Sequence, residues 1–389
     1  MNTKLAVLTG NGLSVAYNPN LNLSRLTKKV IEEIKKNTID HENFEVALRN
    51  LAALIERDID MRDEVGSDFE RLVGALGAET DLIGHLGRLC EAAGEDVAVR
   101  DALRESEKFA RKIKNNGISH VLEVIYRNSR ITISDKVGIF RSLQAMEASF
   151  SSQITISNLN YDTILLAALV QDFNTQLADM ADGRGKHKRE VRPGEPPVYV
   201  WSLRKDASML TGWRDRKFHL VHLHGSLTYW RTDDQATDAT CNFKVSTDVL
   251  SSHNLIQGIR NEEGAVYPDV VLANSYDKPN HVKKFPFNIC YEVFGDSLKN
   301  SEHWLIIGYS FRDTPVNNHL RHEFLSRVVK PKVLVVTHGT ELSRDLVRTS
   351  LGWGEEDSAR QSDDAWLSFD RCGAVGFEER QPWKDFVRN

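Results

Sequence analysis

Apolar residues follow two rhythms along this chain. Short uninterrupted runs recur at Leu5-Ala6-Val7-Leu8, Ile154-Thr155-Ile156, Phe218 to Leu223, Val270-Val271-Leu272, Trp304 to Ile307 and Val333 to Val336. Runs of this length, closed by Gly, Asn or His, predict strands buried on both faces. Between several of them the spacing changes to threes and fours, as in Ile164/Leu165/Ala168/Leu169 and Val316/Leu320/Phe324, which predicts helices. Strand and helix alternate, so the expected fold is α/β, a doubly wound and mostly parallel Rossmann-like sheet.

Three intervals break the alternation. From about 21 to 150 the chain carries helical spacing and many charges but almost no strand signal, illustrated by Leu72/Val73/Leu76 and Leu82/Ile83/Leu86/Leu89. This predicts a large helical insertion, placed to cap a pocket or to pair subunits. Residues 172–216 hold Gly183, Gly185, Pro193, Pro196 and Pro197, and residues 352–365 are polar and acidic around Gly352, Gly354 and Ser358; both read as loops. The expected organisation is an α/β domain from 1–20 plus 151–350, a helical insertion over 21–150 and a C-terminal extension over 351–389.

Composition narrows the class. With 389 residues, 41% of them hydrophobic and 27% charged, the chain can bury a sizeable core and is neither fibrous nor disordered in type. A net charge of −5 argues against a globally basic nucleic-acid binder, and direct nucleic-acid binding is not expected. The densest basic run, Lys186-His187-Lys188-Arg189, reads as a solvated loop. Cys90, Cys241, Cys290 and Cys372 are far apart, which excludes a zinc module of paired cysteines. The first residues lack the apolar stretch of a signal peptide and no run has membrane-spanning length, so a cytoplasmic protein without a membrane partner is expected.

The chemistry-bearing residues stand at the ends of the apolar runs. Gly10-Asn11-Gly12-Leu13-Ser14 follows the first run as a glycine turn that could cradle a phosphate; two glycines alone are a weak signal, and no Gly-Lys-Ser/Thr ending marks a P-loop. Asn160-Tyr161-Asp162 follows the second, where Asp162 also qualifies as a helix cap. In Phe218-His219-Leu220-Val221-His222-Leu223-His224-Gly225, alternation puts His222 and His224 on one face and His219 on the other, yet no third ligand completes a metal site. Gly308-Tyr309-Ser310 opens the turn after the Trp304 run.

Taken together and in this order, Gly10-Asn11-Gly12-Leu13-Ser14, Asn160-Tyr161-Asp162, His224-Gly225 and Gly308-Tyr309-Ser310 resemble the sirtuin-like NAD-consuming domains, in particular the bacterial antiphage NAD hydrolases. The resemblance covers the α/β parts and not the helical insertion. It implies that Gly10, Asn11, Gly12 and Ser14 line the dinucleotide phosphates, that Asn160 and Asp162 face the nicotinamide ribose, that His224 is the catalytic histidine, and that Gly308, Tyr309 and Ser310 hold the adenosine portion. Asn158 stands where the family has a threonine. The four-cysteine zinc module and the Pro-Asp-Phe-Arg segment of the protein-deacylating members are both missing. The resemblance therefore implies an NAD+ glycohydrolase that yields nicotinamide and ADP-ribose, with NAD+ as substrate, no further cofactor and no zinc. It also implies a homo-oligomer, a HerA-like hexameric ATPase as partner, and a role as an NAD-depleting effector of antiphage defence. The competing readings are a non-catalytic sensor of NAD or an ADP-ribose-type nucleotide, and a protein deacylase.

Overall fold

The computed structural model describes residues 3–37, 97–129, 133–181, 186–192, 194–205, 215–234, 239–260, 266–271, 278–354 and 362–388, with a few positions between 50 and 94. Val73, Leu76, Leu82, Ile83, Gly183, Gly185, Pro193, Leu272 and Ser358 lie outside the described residues, as does the side chain of Cys241.

The strands, in chain order, are β1 (Leu5–Thr9), β2 (Ile154–Asn158), β3 (Leu177–Ala178), β4 (His187–Arg189), β5 (Val198–Ser202), β6 (Phe218–His222), β7 (Gly225–Asp234), β8 (Ala239–Lys244), β9 (Val266–Val270), β10 (His303–Ile307), β11 (Lys332–Val336) and β12 (Leu367–Asp370). Seven of them form one sheet in the order β12-β11-β10-β1-β2-β6-β3, and every pairing in it is parallel. The fold is the expected doubly wound α/β sheet. From β1 the chain winds outward through β2 and β6 on one side and returns through β10, β11 and β12 on the other, so the order reverses between β1 and β10. The carboxyl ends of strands flanking such a reversal leave a crevice where ligands bind in this class of sheet.

Parallel strands need cover on both faces, and the uninterrupted apolar runs supply it. Strands β1, β2, β6 and β10 are buried throughout. Leu5, Val7, Leu305 and Ile307 enter one core cluster, while Ala6, Leu8, Trp304 and Ile306 enter the other, as period-two alternation requires. The relevant helices are α1 (Asn11–Tyr17), α2 (Leu23–Asn37), α3 (Val97–Ser129), α4 (Ile133–Ser149), α5 (Ile164–Phe173), α6 (Phe287–Asn300), α7 (Thr314–Leu325) and α8 (Gln381–Val387). Helices α3, α4, α5 and α8 cover the first face through Val121, Ile125, Leu143, Leu169 and Phe386. Helices α6 and α7 cover the second, with Cys290, Phe294, Leu298, Val316, Leu320 and Phe324 inward; each such side chain contributes about 1.5–3 kcal/mol of burial.

Between β1 and β2 the described residues are helical, as the spacing predicts. Met146 and Phe150 sit in the core on the first face of the sheet, while Ser119 Oγ donates to the Ile256 carbonyl at 2.7 Å and Glu123 pairs with Arg260, both partners lying on the short helix Leu255–Arg260. The segment set apart above as a C-terminal extension supplies the edge strand β12 and helix α8 to the same sheet.

Two expectations change. Strands β4, β5, β8, β7 and β9 form a five-stranded antiparallel sheet, its first two strands lying before β6 in the chain and the other three between β6 and β10, so the Val270 run belongs to that sheet. The interval 172–216 accordingly contains β3, β4 and β5 besides loops, because Val198 and Val200 alternate into the core despite their proline-rich surroundings. The basic run is mostly an edge strand and lies on aromatic rings: Lys186 Nζ is 4.8 Å from the Trp201 centroid, Lys188 Nζ 5.6 Å from Tyr199, and the Arg189 guanidinium 5.3 Å from Phe243. Cation–π contact and snorkelling stems explain why so charged a stretch is ordered.

Candidate functional site

The site residues gather because their strands end level with one another. Thr9, Asn158, His222 and Ile307 occupy matching registers on β1, β2, β6 and β10, so the turns that follow emerge side by side at the carboxyl edge.

The glycine turn after β1 meets the turn after β10 backbone to backbone. Gly12 N donates to Gly308 O at 2.9 Å, and Gly10 N to Ile307 O at 2.9 Å. A Cβ on Gly10 would lie 2.6 Å from Gly308 O, one on Gly12 2.7 Å from Gly308 Cα, and one on Gly308 2.4 Å from Leu13 N. Gly308 also has φ +63°, where a side chain is strained. These three glycines thus let two backbones touch, and the Gly12 amide is committed to Gly308. Asn11 is half-buried at the start of α1, Ser14 is buried, Tyr309 is buried, and Ser310 is exposed on its turn.

Beside this contact lies a buried polar chain. Asn160 Nδ2 donates to Gly10 O at 3.0 Å and to Ser14 Oγ at 2.8 Å. Ser14 Oγ in turn donates to Asp162 Oδ2 at 2.6 Å. Asp162 Oδ1 accepts from Ile164 N at 3.0 Å, which is the cap role open to it from sequence, now joined to a second role. Burial pushes the Asp162 carboxyl upward, against the Ser14 and Ile164 bonds that favour its charge. With both amide hydrogens of Asn160 engaged, its Oδ1 is the atom left to accept a hydrogen bond. Asn158 holds the turn in place: Thr9 Oγ1 donates to its Oδ1 at 2.8 Å, and its own Nδ2 reaches Asn160 O at 3.3 Å.

The histidine stands on the other side of Tyr161, whose ring centroid is 6.5 Å from that of His224. Strand β6 ends at His222 and a turn follows, so the alternation used to pair His222 with His224 stops short of His224. The two rings find different partners. His222 Nδ1 lies 3.4 Å from Asn158 Nδ2 and from Asn160 O, while His224 Nε2 lies 3.3 Å from Asp313 Oδ2 and 3.4 Å from the Tyr291 hydroxyl. Gly225, at φ +86°, allows the turn that redirects the chain, since a Cβ there would lie 2.2 Å from Asp269 O. Among the described residues no three His, Cys, Asp or Glu side chains gather as a metal site.

Asp313, Lys278 and Tyr291 are the residues that sequence reasoning passed over. Asp313 caps α7 through Val316 N at 3.1 Å and accepts from Lys278 Nζ at 2.8 Å. Its side chain is 8% exposed and that of Lys278 9%. Burial alone would raise the Asp313 carboxyl, but His224 and Lys278 hold it well below the usual carboxylate range. A carboxylate only accepts, so in the neutral imidazole the proton sits on Nε2 and the lone pair on Nδ1, which has no hydrogen-bond partner among the described residues. The signal for Asp313 was present in Asp313-Thr314-Pro315, a capping residue followed by proline; Lys278 and Tyr291 carry none. Tyr309 closes the same turn by donating to Asn317 Oδ1 at 2.8 Å, and Phe311 sits there at φ +59°, a left-handed conformation held by its buried ring.

Fold and site together define an α/β protein with a buried polar site at the carboxyl edge of a doubly wound sheet. No family model matches the chain, and no curated protein matches it. Among solved structures it is similar to one described as "Structural Basis for the Mechanism and Regulation of Sir2 Enzymes", at 10% identity and a TM-score of 0.32, over 99% of this chain and 91% of that one. At such similarity the overlap assigns neither family nor activity. Among the described residues no helix is long and apolar enough to cross a membrane.

Proposed function

We propose that this chain is an NAD+ glycohydrolase of the sirtuin-like type, an enzyme that breaks the bond between nicotinamide and ribose and passes the ribosyl carbon to water. The observation that carries the reading is the pair of unspent acceptors at one strand edge: Asn160 Oδ1, held by Gly10 and Ser14, and His224 Nδ1, held by Asp313 on the opposite ring atom.

Cleavage sends the bonding electron pair to the nicotinamide nitrogen, neutralising its positive charge and leaving an oxocarbenium-like ribosyl carbon. Such a reaction needs the ribose oriented, the positive charge tolerated and one water delivered. Asn160 Oδ1 accepts from a ribose hydroxyl or from that water. His224 Nδ1 takes the proton the water loses as its oxygen bonds to the carbon, general-base work suited to imidazole. Asp162 acts through Ser14 to hold Asn160. The glycine turn, with Asn11 and Ser14, belongs to the dinucleotide side of this site, and Gly308, Tyr309 and Ser310 to its adenosine side.

The wider reading also rests on the motif resemblance: a cytoplasmic NAD-depleting effector of antiphage defence, homo-oligomeric, working with a HerA-like hexameric ATPase, and needing no zinc. Its α/β domain comprises 1–20 and 151–350 together with the edge strand and helix that 351–389 add to the sheet, with the helical insertion as the assembly surface.

The test is to incubate the purified chain with NAD+, alone and with such an ATPase, and to follow nicotinamide and ADP-ribose by chromatography beside Asn160→Ala and His224→Ala. Release by the wild type and its loss by about two to four orders of magnitude in both folded variants is expected. Undiminished release by both variants removes the assignment, and NAD+ binding without release in either setting identifies a sensor instead.

A further inference from the structure

A cavity of about 470 Å³ opens between α5 and the antiparallel sheet. Its size falls within the roughly 300–1,000 Å³ of small-molecule sites. Leu166, Val170, Leu177, Val245 and Trp201 wall it, and none of the residues assigned to NAD+ above lines it. Polar side chains line it as well, among them Asp179, Lys244 and Thr163. Asp179 and Lys244 form an ion pair whose side chains are 13% and 14% exposed. Thr163 is 8% exposed, lines the cavity, and its hydroxyl has no hydrogen-bond partner among the described residues.

The ion pair determines what such a pocket accepts. Asp179 takes Lys244 on Oδ2 and the Ala181 amide, at 2.9 Å, on Oδ1, which leaves lone pairs on both oxygens; among the described residues Lys244 has one acceptor for its three ammonium hydrogens. The pair is neutral as a unit, so it does not favour a charged guest. It offers an acceptor and a donor side by side, the complement of a group that itself carries donor and acceptor on adjacent atoms. An amino group next to a ring nitrogen, as on an aminopurine, is such an edge, and the apolar walls suit a flat heteroaromatic ring.

We propose that this cavity is a second binding site, for an uncharged heteroaromatic of nucleoside size whose amino–imine edge pairs with Asp179 and Lys244. The site stands whether or not the chain hydrolyses NAD+.

Adenosine is the probe, titrated into the full chain by calorimetry, with purine riboside, which lacks the amino group, as the control. Adenosine is expected to bind, and purine riboside to bind roughly ten- to a hundred-fold more weakly, the worth of a hydrogen bond to a charged group. Ala167→Trp, which fills the cavity from α5, should abolish binding while leaving thermal unfolding cooperative. Thr163→Val keeps the shape and should weaken binding roughly two- to tenfold. No binding of adenosine, or equal binding of the two purines, overturns the proposal. So does binding that survives Ala167→Trp and is lost in Asn160→Ala, which would place adenosine at the strand ends and leave the NAD+ reading intact.

Discussion

Asp313→Ala tests whether His224 depends on its buried carboxylate. The substitution deletes three things: the cap bond to Val316 N at 3.1 Å, an acceptor of Lys278 at 2.8 Å, and the acceptor 3.3 Å from His224 Nε2. Losing the cap costs about 1 kcal/mol. Removing the carboxylate that Lys278, its side chain only 9% exposed, donates to costs about 1.5–3 kcal/mol more, the worth of a hydrogen bond between charged groups, a sizeable share of the 5–15 kcal/mol that holds a typical domain together. The stability loss would obscure any effect on turnover, so Lys278→Met is combined with it: with both charges gone, most of the larger cost should return. The imidazole still lacks its acceptor, because only the Tyr291 hydroxyl at 3.4 Å remains. Urea unfolding and nicotinamide release are measured on both variants. The expectation is a double variant close to wild type in stability yet about two to four orders of magnitude slower, with the ring nitrogens of His224 shifted in the ¹⁵N spectrum. A double variant that turns over like the wild type would show that Asp313 does not position His224. Equal destabilisation of single and double variants would refute the charge-pair reasoning.

Ser14→Ala breaks the chain from Asn160 to Asp162 and leaves a buried acceptor unmatched; about 1–3 kcal/mol of stability should be lost, read by urea unfolding, and NAD+ turnover should fall with it. Gly308→Ala drives a Cβ to 2.4 Å from Leu13 N at φ +63°, so the two turns must separate; a thermal midpoint within a degree of wild type would contradict that packing. His120 is pushed down to about 3 by burial, with Arg260 and Arg127 adding to the effect. Because the unfolded chain protonates first as pH falls below about 6.5, this group's contribution is complete above that value and is lost on acidification. Between pH 7 and pH 5 the wild type should lose roughly 2 kcal/mol more stability than His120→Gln, and parallel pH profiles would count against a buried neutral ring.

The parallel sheet was legible because its determinants are local. An uninterrupted apolar run such as Leu5 to Leu8 can only be covered on both sides, and the spacing of Val316, Leu320 and Phe324 has one helical face to offer. The turns at Gly10, Asn160, His224 and Gly308 were legible for the same reason, each being a polar break at the end of such a run. The antiparallel sheet was not: Val198 and Val200 stand among prolines and charges, and their strand exists because Trp201 and Ser202 pair with Lys244 and Phe243, a partner the local pattern cannot name. The site shows the same division. That Asn160 and His224 lie at strand ends follows from sequence, but which of their atoms remain free was decided by Ser14, 146 positions from Asn160, and by Asp313, which Lys278 reaches across 35 positions. Hydrophobic periodicity is written residue by residue and survives without its context, whereas a buried hydrogen bond exists only once folding brings a donor to its acceptor and removes the water that would have replaced either.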